Sequence, residues 1–161
     1  MKIEELLSIP KTITNQRRPK YKTENRHSKM NLRLICAVAD LSMQMFVRIS
    51  FAFPEDFSVG LVLDGPNEIN ESNIVLLRFQ GPHGGQSITQ SLDDFHNSYH
   101  IHEYTDDDYR RRRKMASYKG KAGFSSLEEA ICEFLDYCNI SDPNQIFLNE
   151  RANRNQTKMI F

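Results

Sequence analysis

Between Met43 and Phe53, the sequence MQMFVRISFAF carries an apolar residue at every second position. In a β-strand, successive side chains point to opposite faces, so this spacing gathers the apolar residues on one side of a sheet. The residues of that row are Met43, Met45, Val47, Ile49, Phe51 and Phe53. The alternation predicts a half-buried strand.

Apolar runs before and after this stretch predict its partner strands. Leu32, Leu34 and Val38 indicate an earlier strand followed by a turn at 40–42, although a helix over 31–42 is the alternative. The later runs are FSVGLVLD, IVLLRF at residues 74–79, and YHIHEY. Gly-Pro pairs separate them, because Pro has no N–H for a strand ladder. The short connections favour a mostly antiparallel sheet of about five strands.

The clearest helix signal follows Phe124. Ser125 or Ser126, followed by Glu128 and Glu129, matches a capping box, in which hydroxyl and carboxylate groups satisfy backbone N–H groups. The apolar stripe of this C-terminal amphipathic helix consists of Leu127, Ala130, Ile131, Phe134, Leu135 and Cys138. We predict that the helix packs on one face of the sheet, which makes the fold class α+β.

At 161 residues, the chain has the size of one domain. Residues 1–29 are predicted to form a short helix, ended by Pro10, and a basic arm. Residues 30–140 are the predicted α+β domain. Residues 141–161 are expected to form a weakly ordered tail, with its apolar end at Phe161 as a docking point.

Composition argues against several classes of protein. The three cysteines lie in apolar stretches without CxxC spacing, which argues against a disulfide framework and a thiolate metal site. No apolar run approaches the roughly 18 residues needed to span a bilayer, and the first residues lack the apolar run of a signal peptide. We therefore expect a cytoplasmic protein that does not contact a membrane.

The net charge is zero, but the charges are segregated along the chain. Residues 1–33 carry nine Lys or Arg against three Asp or Glu, and residues 109–121 carry seven against none. Residues 52–108, in contrast, carry one against eleven. Such segments attract partners of opposite charge, or pair with one another within the fold.

The motif SYHIHEY is the first candidate site. His100 and His102 are two residues apart, so on a strand their imidazoles share a face while Ile101 points into the core. Two such imidazoles can converge on a metal ion or a phosphate, or can simply occupy the wet face of a half-buried strand. Zinc requires further ligands, for which the candidates are His83, Asp94, His96 and Glu103.

The loop in LLRFQGPHGG is the second candidate site. Arg78 lies near the end of a predicted strand and His83 lies in the loop. The glycines around His83, which are Gly81, Gly84 and Gly85, allow backbone N–H groups to approach an anion closely. A guanidinium, imidazoles and exposed amides are what metal-free acid–base cleavage of RNA requires, although an ordinary turn is the commoner interpretation. The candidate catalytic residues are Arg78, His83, His100 and His102, with no cofactor and no metal predicted.

The segment TDDDYRRRRK has two interpretations. If Thr105 caps a helix, the carboxylates at 106–108 occupy its first turn and pair with the arginines four residues later. Alternatively, the cations bind a polyanion or an acidic partner, since each neutralised phosphate adds sequence-independent affinity. Together with two arginines of the basic arm, the candidate partner-binding residues are Arg17, Arg18, Arg110, Arg111, Arg112, Arg113 and Lys114.

Four tracts of this chain resemble an uncharacterised family of small bacterial proteins, one of the domains of unknown function. They are FSVGLVLD, IVLLRFQGPHGG, FHNSYHIHEYT and FSSLEEAICEFL, and the resemblance covers residues 30–138. The family pattern is an Arg-x-x-Gly-Pro-His-Gly loop, a His-x-His strand and a terminal amphipathic helix. The resemblance implies that Arg78, His83, His100 and His102 belong to one recurring set, and it implies no activity. The basic arm and the arginine run fall outside it.

These features lead to two main hypotheses of function. The first is a small bacterial or phage protein that binds a protein or nucleic acid in a defence, toxin–antitoxin or anti-defence context. The second is a toxin-like, metal-independent ribonuclease that uses Arg78 with His83, His100 and His102. Convergence of these four residues in space favours catalysis, whereas their separation favours binding.

Overall fold

The computed structural model describes residues 2–38, 40–66, 71–83 and 95–160. A 3-10 helix at Ile3–Leu7 precedes the first strand, and a second 3-10 turn lies at Phe95–Asn97. The strands are β1 (Lys11–Ile13), β2 (Lys22–Glu24), β3 (His27–Cys36), β4 (Ser42–Ser50), β5 (Phe57–Leu63), β6 (Ile74–Gln80), β7 (His100–Glu103), β8 (Ser117–Lys121) and β9 (Ile140–Ser141). The helices are α1 (Asp106–Arg110), α2 (Leu127–Tyr137) and α3 (Leu148–Ile160).

The nine strands of the described residues form one sheet with the order β8-β7-β6-β5-β4-β3-β1-β9, and β2 pairs with β3. Neighbouring strands are antiparallel, except that β9 runs parallel to β1. The predicted α+β class and mostly antiparallel sheet are confirmed, but the prediction of about five strands is too low. The strands missing from the prediction are β1, β2, β8 and β9, which are too short to show a clear alternation.

The long alternating stretch forms β4, which pairs with β3. The strand prediction before β4 is therefore confirmed, and the alternative of a helix over 31–42 is wrong. The strand β4 ends at Ser50, because the chain turns back there and the Ser50 N–H donates to the Asp56 carbonyl at 3.0 Å. Phe51 and Phe53 follow the strand and are exposed, so the predicted apolar row is shorter than the alternation suggested.

The core lies on one face of the sheet, beneath α2. Strand register places Val59, Phe79 and Ile101 side by side on this face. The Phe79 ring meets Phe134 of α2 edge-on, with ring centroids 5.1 Å apart. Phe134 is completely buried, and burial of such a side chain contributes about 1.5–3 kcal/mol. The predicted packing of an amphipathic helix on the sheet is therefore confirmed, but this helix is not the C-terminal one, because α3 follows it.

The N-terminus of α2 has the predicted serine cap, but the predicted capping box is only half formed, because the Glu129 carboxylate bonds to Ser125 and not to the N-cap residue. The Glu129 N–H donates to the Ser126 hydroxyl at 3.2 Å, and the Glu129 carboxylate accepts the Ser125 N–H at 3.0 Å. These two bonds satisfy backbone donors that the helix itself cannot pair. Ser126 is the N-cap residue, which resolves the choice between the two serines.

Residues after α2 pack back onto the domain. The Asp142 carboxylate accepts the N–H groups of Ile146 and Phe147, each at 2.8 Å, and both apolar side chains are buried. Arg18 of the basic arm forms a 2.7 Å salt bridge with Glu150 of α3. The segment expected to be a weakly ordered tail thus contains α3, whereas the proposed docking residue Phe161 lies outside the described residues. None of the described helices is both long and apolar enough to cross a bilayer.

Candidate functional site

Strands β6 and β7 bring the predicted site residues together on the face of the sheet opposite the core. In their register, Arg78 lies beside His102, and Gln80 lies beside His100. The residues between them in sequence point to the core side, because successive side chains of a strand point to opposite faces. We call the surface that carries Arg78, Gln80, His100 and His102 the polar face.

Three imidazoles meet on this side of the sheet and form the histidine cluster, which consists of His83, His96 and His100. The Nε2 atom of His83 lies 3.4 Å from Nε2 of His100 and 3.2 Å from Nδ1 of His96. One ring nitrogen from each of the three residues lies within 4.8 Å of those of the other two. His83 is exposed, His96 is half-buried and His100 is buried, so the cluster extends from the surface into the sheet.

Backbone bonds and a glycine fix the loop that carries His83. The Gly81 N–H donates to the Phe57 carbonyl at 3.0 Å, and the His83 N–H donates to the His96 carbonyl at 2.8 Å. A Cβ on Gly81 would lie 1.8 Å from the Glu55 carbonyl oxygen, so no larger residue fits without a backbone shift. Glycine is therefore required at position 81, because two backbone segments approach each other closely there.

His100 is anchored so that one ring nitrogen faces the cluster. Its side chain is completely buried, and its Nδ1 lies 2.7 Å from the Ser98 carbonyl oxygen. A carbonyl only accepts hydrogen bonds, so this contact places a proton on Nδ1. The other ring nitrogen, Nε2, lies 3.1 Å from the Gln80 Oε1 atom and 3.4 Å from His83 Nε2.

His102 lies between the cluster and the arginine. Its ring centroid is 5.0 Å from that of His100 and 6.1 Å from that of Tyr118, an exposed residue of β8. Desolvation, followed by the charges of His100 and Arg78, lowers the pKa of His102 to about 4. Desolvation and the neighbouring His100 and His96 also lower the pKa of His83 to about 4. Both imidazoles are therefore neutral at pH 7.

Arg78 gives the polar face a positive charge. Its Nε is buried and has no hydrogen-bond partner among the residues that the structure describes. Burial, followed by the charge of Arg48, lowers the pKa of Arg78. Arg48 lies on the same face, two strands away in β4. It is paired with Ser58 of β5, which is in turn paired with Gln80 of β6. Two guanidinium groups that share one face of a sheet form an attractive surface for an anion.

The structure thus brings all four predicted catalytic residues into one region. It adds Gln80, which sequence reasoning missed although Gln80 follows Arg78 by two residues on the same strand. It also adds His96, which the sequence offered only as one of several candidate ligands. Glu103, another of those candidates, lies on the core side, where its carboxylate pairs with Lys119 at 2.7 Å. The remaining candidate, Asp94, and the loop glycines Gly84 and Gly85 lie outside the described residues.

The acidic segment before the arginine run forms the predicted cap of α1. Thr105 is the N-cap residue, and its hydroxyl accepts the Asp108 N–H at 3.1 Å. Of the three predicted pairs, Asp107 with Arg111 is present at 2.9 Å. Asp106 instead accepts the Ile3 N–H, and Asp108 turns inward, so the other two predicted pairs are wrong.

The arginine run is only partly available for a partner. Arg110 and Arg111 pair with Asp107, and Arg113 pairs with Asp108. Arg112 and Lys114 form no salt bridge with any residue that the structure describes. In the basic arm, Arg18 is engaged with Glu150, while Arg17 is exposed. Partner binding by these residues stays a prediction.

Comparison of the chain with protein-family models, with curated proteins and with solved structures finds no match. The resemblance to a family of unknown function therefore stays a prediction, and the functional argument depends on the geometry of the polar face.

Proposed function

We propose that the protein is a ribonuclease whose active site is the polar face of β6 and β7. The observation that carries this proposal is the convergence of Arg78 and His102 with the histidine cluster. Sequence alone left these residues in two separate motifs, whereas strand pairing sets Arg78 directly beside His102. A guanidinium can bind the negative phosphate, and a neutral imidazole beside it can accept a proton. These are the two groups that phosphodiester cleavage needs most.

In the proposed reaction, Arg78 binds the non-bridging oxygens of one phosphate in single-stranded RNA. His102 accepts the proton of the adjacent 2′-hydroxyl, whose oxygen forms a bond to phosphorus. The bond from phosphorus to the 5′ oxygen breaks, and that oxygen takes a proton from water, while His102 returns its proton to the hydroxide that remains. The products are a 2′,3′-cyclic phosphate and a 5′-hydroxyl end, and no oxidant or further reactant is required.

The geometry changes which histidines are assigned to proton transfer. The ring nitrogens of His83 and His100 are only 3.4 Å apart, which leaves no room for a phosphate between them. These two residues therefore do not form an acid and base that flank the substrate. His102 stands apart from that contact and next to Arg78, and Tyr118 beside it provides an exposed ring on which a base can stack.

The biological context follows from this activity as a proposal. A small ribonuclease of this kind is suited to a toxin-like role in a toxin–antitoxin or defence system. Its protein partner would then be a neutralising one, for which the exposed cations Arg17, Arg112 and Lys114 are candidate contacts.

The test is cleavage of a short single-stranded RNA by the purified protein, compared with DNA of the same sequence. We expect cleavage of RNA alone, with cyclic phosphate ends detected by mass spectrometry. Arg78→Lys keeps the positive charge but loses the planar guanidinium, which can donate two parallel hydrogen bonds to a phosphate. We therefore expect about 100-fold lower kcat/KM at unchanged Tm.

The matched control is Arg33→Lys, an exposed arginine of β3 purified in the same way. We expect this variant to cleave at the wild-type rate. Equal rates for the two variants, or no cleavage by the wild-type protein, would refute the proposed function.

A further inference from the structure

We infer that the histidine cluster is a binding site for one divalent transition-metal ion, with Zn²⁺ as the preferred ion. The proposed ligand atoms are Nε2 of His83, Nδ1 of His96 and Nε2 of His100. This assignment does not depend on the proposed ribonuclease activity, because it concerns what the three imidazoles hold and not what the site cleaves.

The separation of the ring nitrogens carries the inference. Two imidazoles bound to the same tetrahedral zinc, at the usual Zn–N length of 2.0–2.1 Å, have their ligand atoms about 3.3 Å apart. The observed separations from His83 Nε2 are 3.4 Å to His100 and 3.2 Å to His96. One ring nitrogen of each residue lies within 4.8 Å of those of the other two, so one ion can contact all three imidazoles after a small movement of a surface imidazole.

The surroundings of His100 match those of a metal ligand. Metal-bound histidines usually donate their other ring N–H to a backbone carbonyl or a carboxylate, which fixes the tautomer and the ring orientation. In His100, Nδ1 donates to the Ser98 carbonyl at 2.7 Å, and Nε2 lies 3.4 Å from His83 Nε2 and 3.1 Å from the Gln80 Oε1 atom. The ring is completely buried and therefore held in this orientation before any ion binds.

Loop anchoring brings the other two ligands to His100. His83 and His96 are 13 residues apart in sequence, and the His83 N–H bonds to the His96 carbonyl at 2.8 Å. This bond, together with the close approach at Gly81, holds both imidazoles against β7. Three nitrogen ligands suit a borderline ion such as Zn²⁺ and would leave a fourth position for water or a substrate oxygen.

If the proposed function is correct, an ion in the cluster would lie on the same side of the sheet as Arg78, which binds the phosphate, and His102, which accepts the proton. A bound cation there would help to neutralise the charge that develops on the leaving oxygen. This consequence rests on the proposed ribonuclease activity, whereas the metal site itself does not.

The test is zinc binding by the full chain, without RNA. Protein stripped with a chelator and dialysed would be titrated with ZnCl₂ by isothermal titration calorimetry, and bound metal would be counted by elemental analysis. We expect one zinc per chain, and affinity at least about 100-fold lower in both His83→Ala and His96→Ala. His83 is at the surface, so its truncation leaves the fold intact, as a circular dichroism spectrum would verify.

The matched control is His27→Ala, since His27 is the one histidine of the chain in neither the cluster nor the polar face. We expect this variant to bind zinc as the wild-type protein does. Absence of stoichiometric zinc from the wild-type protein, or an equal loss in the His27 variant, would overturn the metal site. Zinc binding without RNA cleavage would instead refute the proposed function and leave the site intact.

Discussion

At the scale of single residues, Gly81 links the fold to the candidate site. It directly follows β6, and its N–H donates to the Phe57 carbonyl. Because glycine has no Cβ, its backbone can lie close to the Glu55 carbonyl. The next residue but one is His83, so a shift at Gly81 moves a member of the histidine cluster. A glycine that sequence reasoning assigned to anion binding is thus explained by close backbone packing.

Gly81→Ala should lower the free energy of unfolding by about 1–3 kcal/mol, because the new methyl group overlaps a backbone oxygen that cannot easily move. Urea unfolding measures this change. The matched control is Gly120→Ala in β8, where an added Cβ meets nothing within 4 Å. This control should leave stability unchanged or raise it by up to about 1 kcal/mol. Equal effects of the two substitutions would contradict the packing argument.

At the scale of elements, α1 is held in place by one buried carboxylate. Asp108 is 1% exposed and accepts hydrogen bonds from the Thr105 N–H, the Ser117 hydroxyl and the Arg113 guanidinium. It therefore joins the start of α1 to the first residue of β8, which is the edge strand beside the polar face. Helix α1 has only five residues, so these contacts, more than helix propensity, explain why it forms.

The protonation of Asp108 should make stability depend on acid pH. Burial alone raises the pKa of Asp108, but hydrogen bonds from Ser117 and Thr105 outweigh it and lower the pKa below its ordinary value. A carboxyl whose pKa is lower in the folded state stabilises the fold when ionised. This contribution is complete at neutral pH and is lost as pH falls through the folded-state pKa.

Asp108→Asn should therefore destabilise the protein by about 1–3 kcal/mol at pH 7, since the N–H groups of Thr105 and Ser117, the Ser117 hydroxyl and the Arg113 guanidinium lose their carboxylate. The difference from the wild-type protein should narrow as pH falls below about 4, as urea unfolding at several pH values would show. Asp107→Asn, which changes only the exposed ion pairs with Arg110 and Arg111, should cost less than about 1 kcal/mol. A difference for Asp108→Asn that stays constant down to pH 2 would contradict this origin of stability.

At the scale of the whole molecule, the parts that local patterns determine could be predicted from sequence. The alternation that begins at Met43 and the capping box at Ser126 gave β4 and α2, because side-chain periodicity and backbone capping are short-range effects. The two-residue spacing of His100 and His102 correctly placed both on one face. The short strands β1, β2, β8 and β9 could not be predicted, because they depend on pairing with distant strands and not on their own residues.

Only part of the candidate site could be predicted, because its geometry also depends on the pairing of distant segments. Each motif was visible, but the 3.4 Å contact between His83 and His100 arises from the pairing of β6 with β7 and from the loop anchored at Gly81. No spacing within the sequence encodes that distance. It changed the assignment of the histidines from an acid–base pair to a cluster suited to a metal, and it left His102 beside Arg78 for proton transfer.

The most direct test of the claim that RNA is bound at the polar face is a crystal structure with a short 2′-O-methyl RNA. This ligand lacks the 2′-hydroxyl nucleophile and so cannot be cleaved in the proposed way. We expect a phosphate oxygen within hydrogen-bond distance of the Arg78 guanidinium and a base against the Tyr118 ring. A complex in which the phosphates lie along Arg110–Lys114 and the polar face is empty would contradict the claim, as would the absence of any binding.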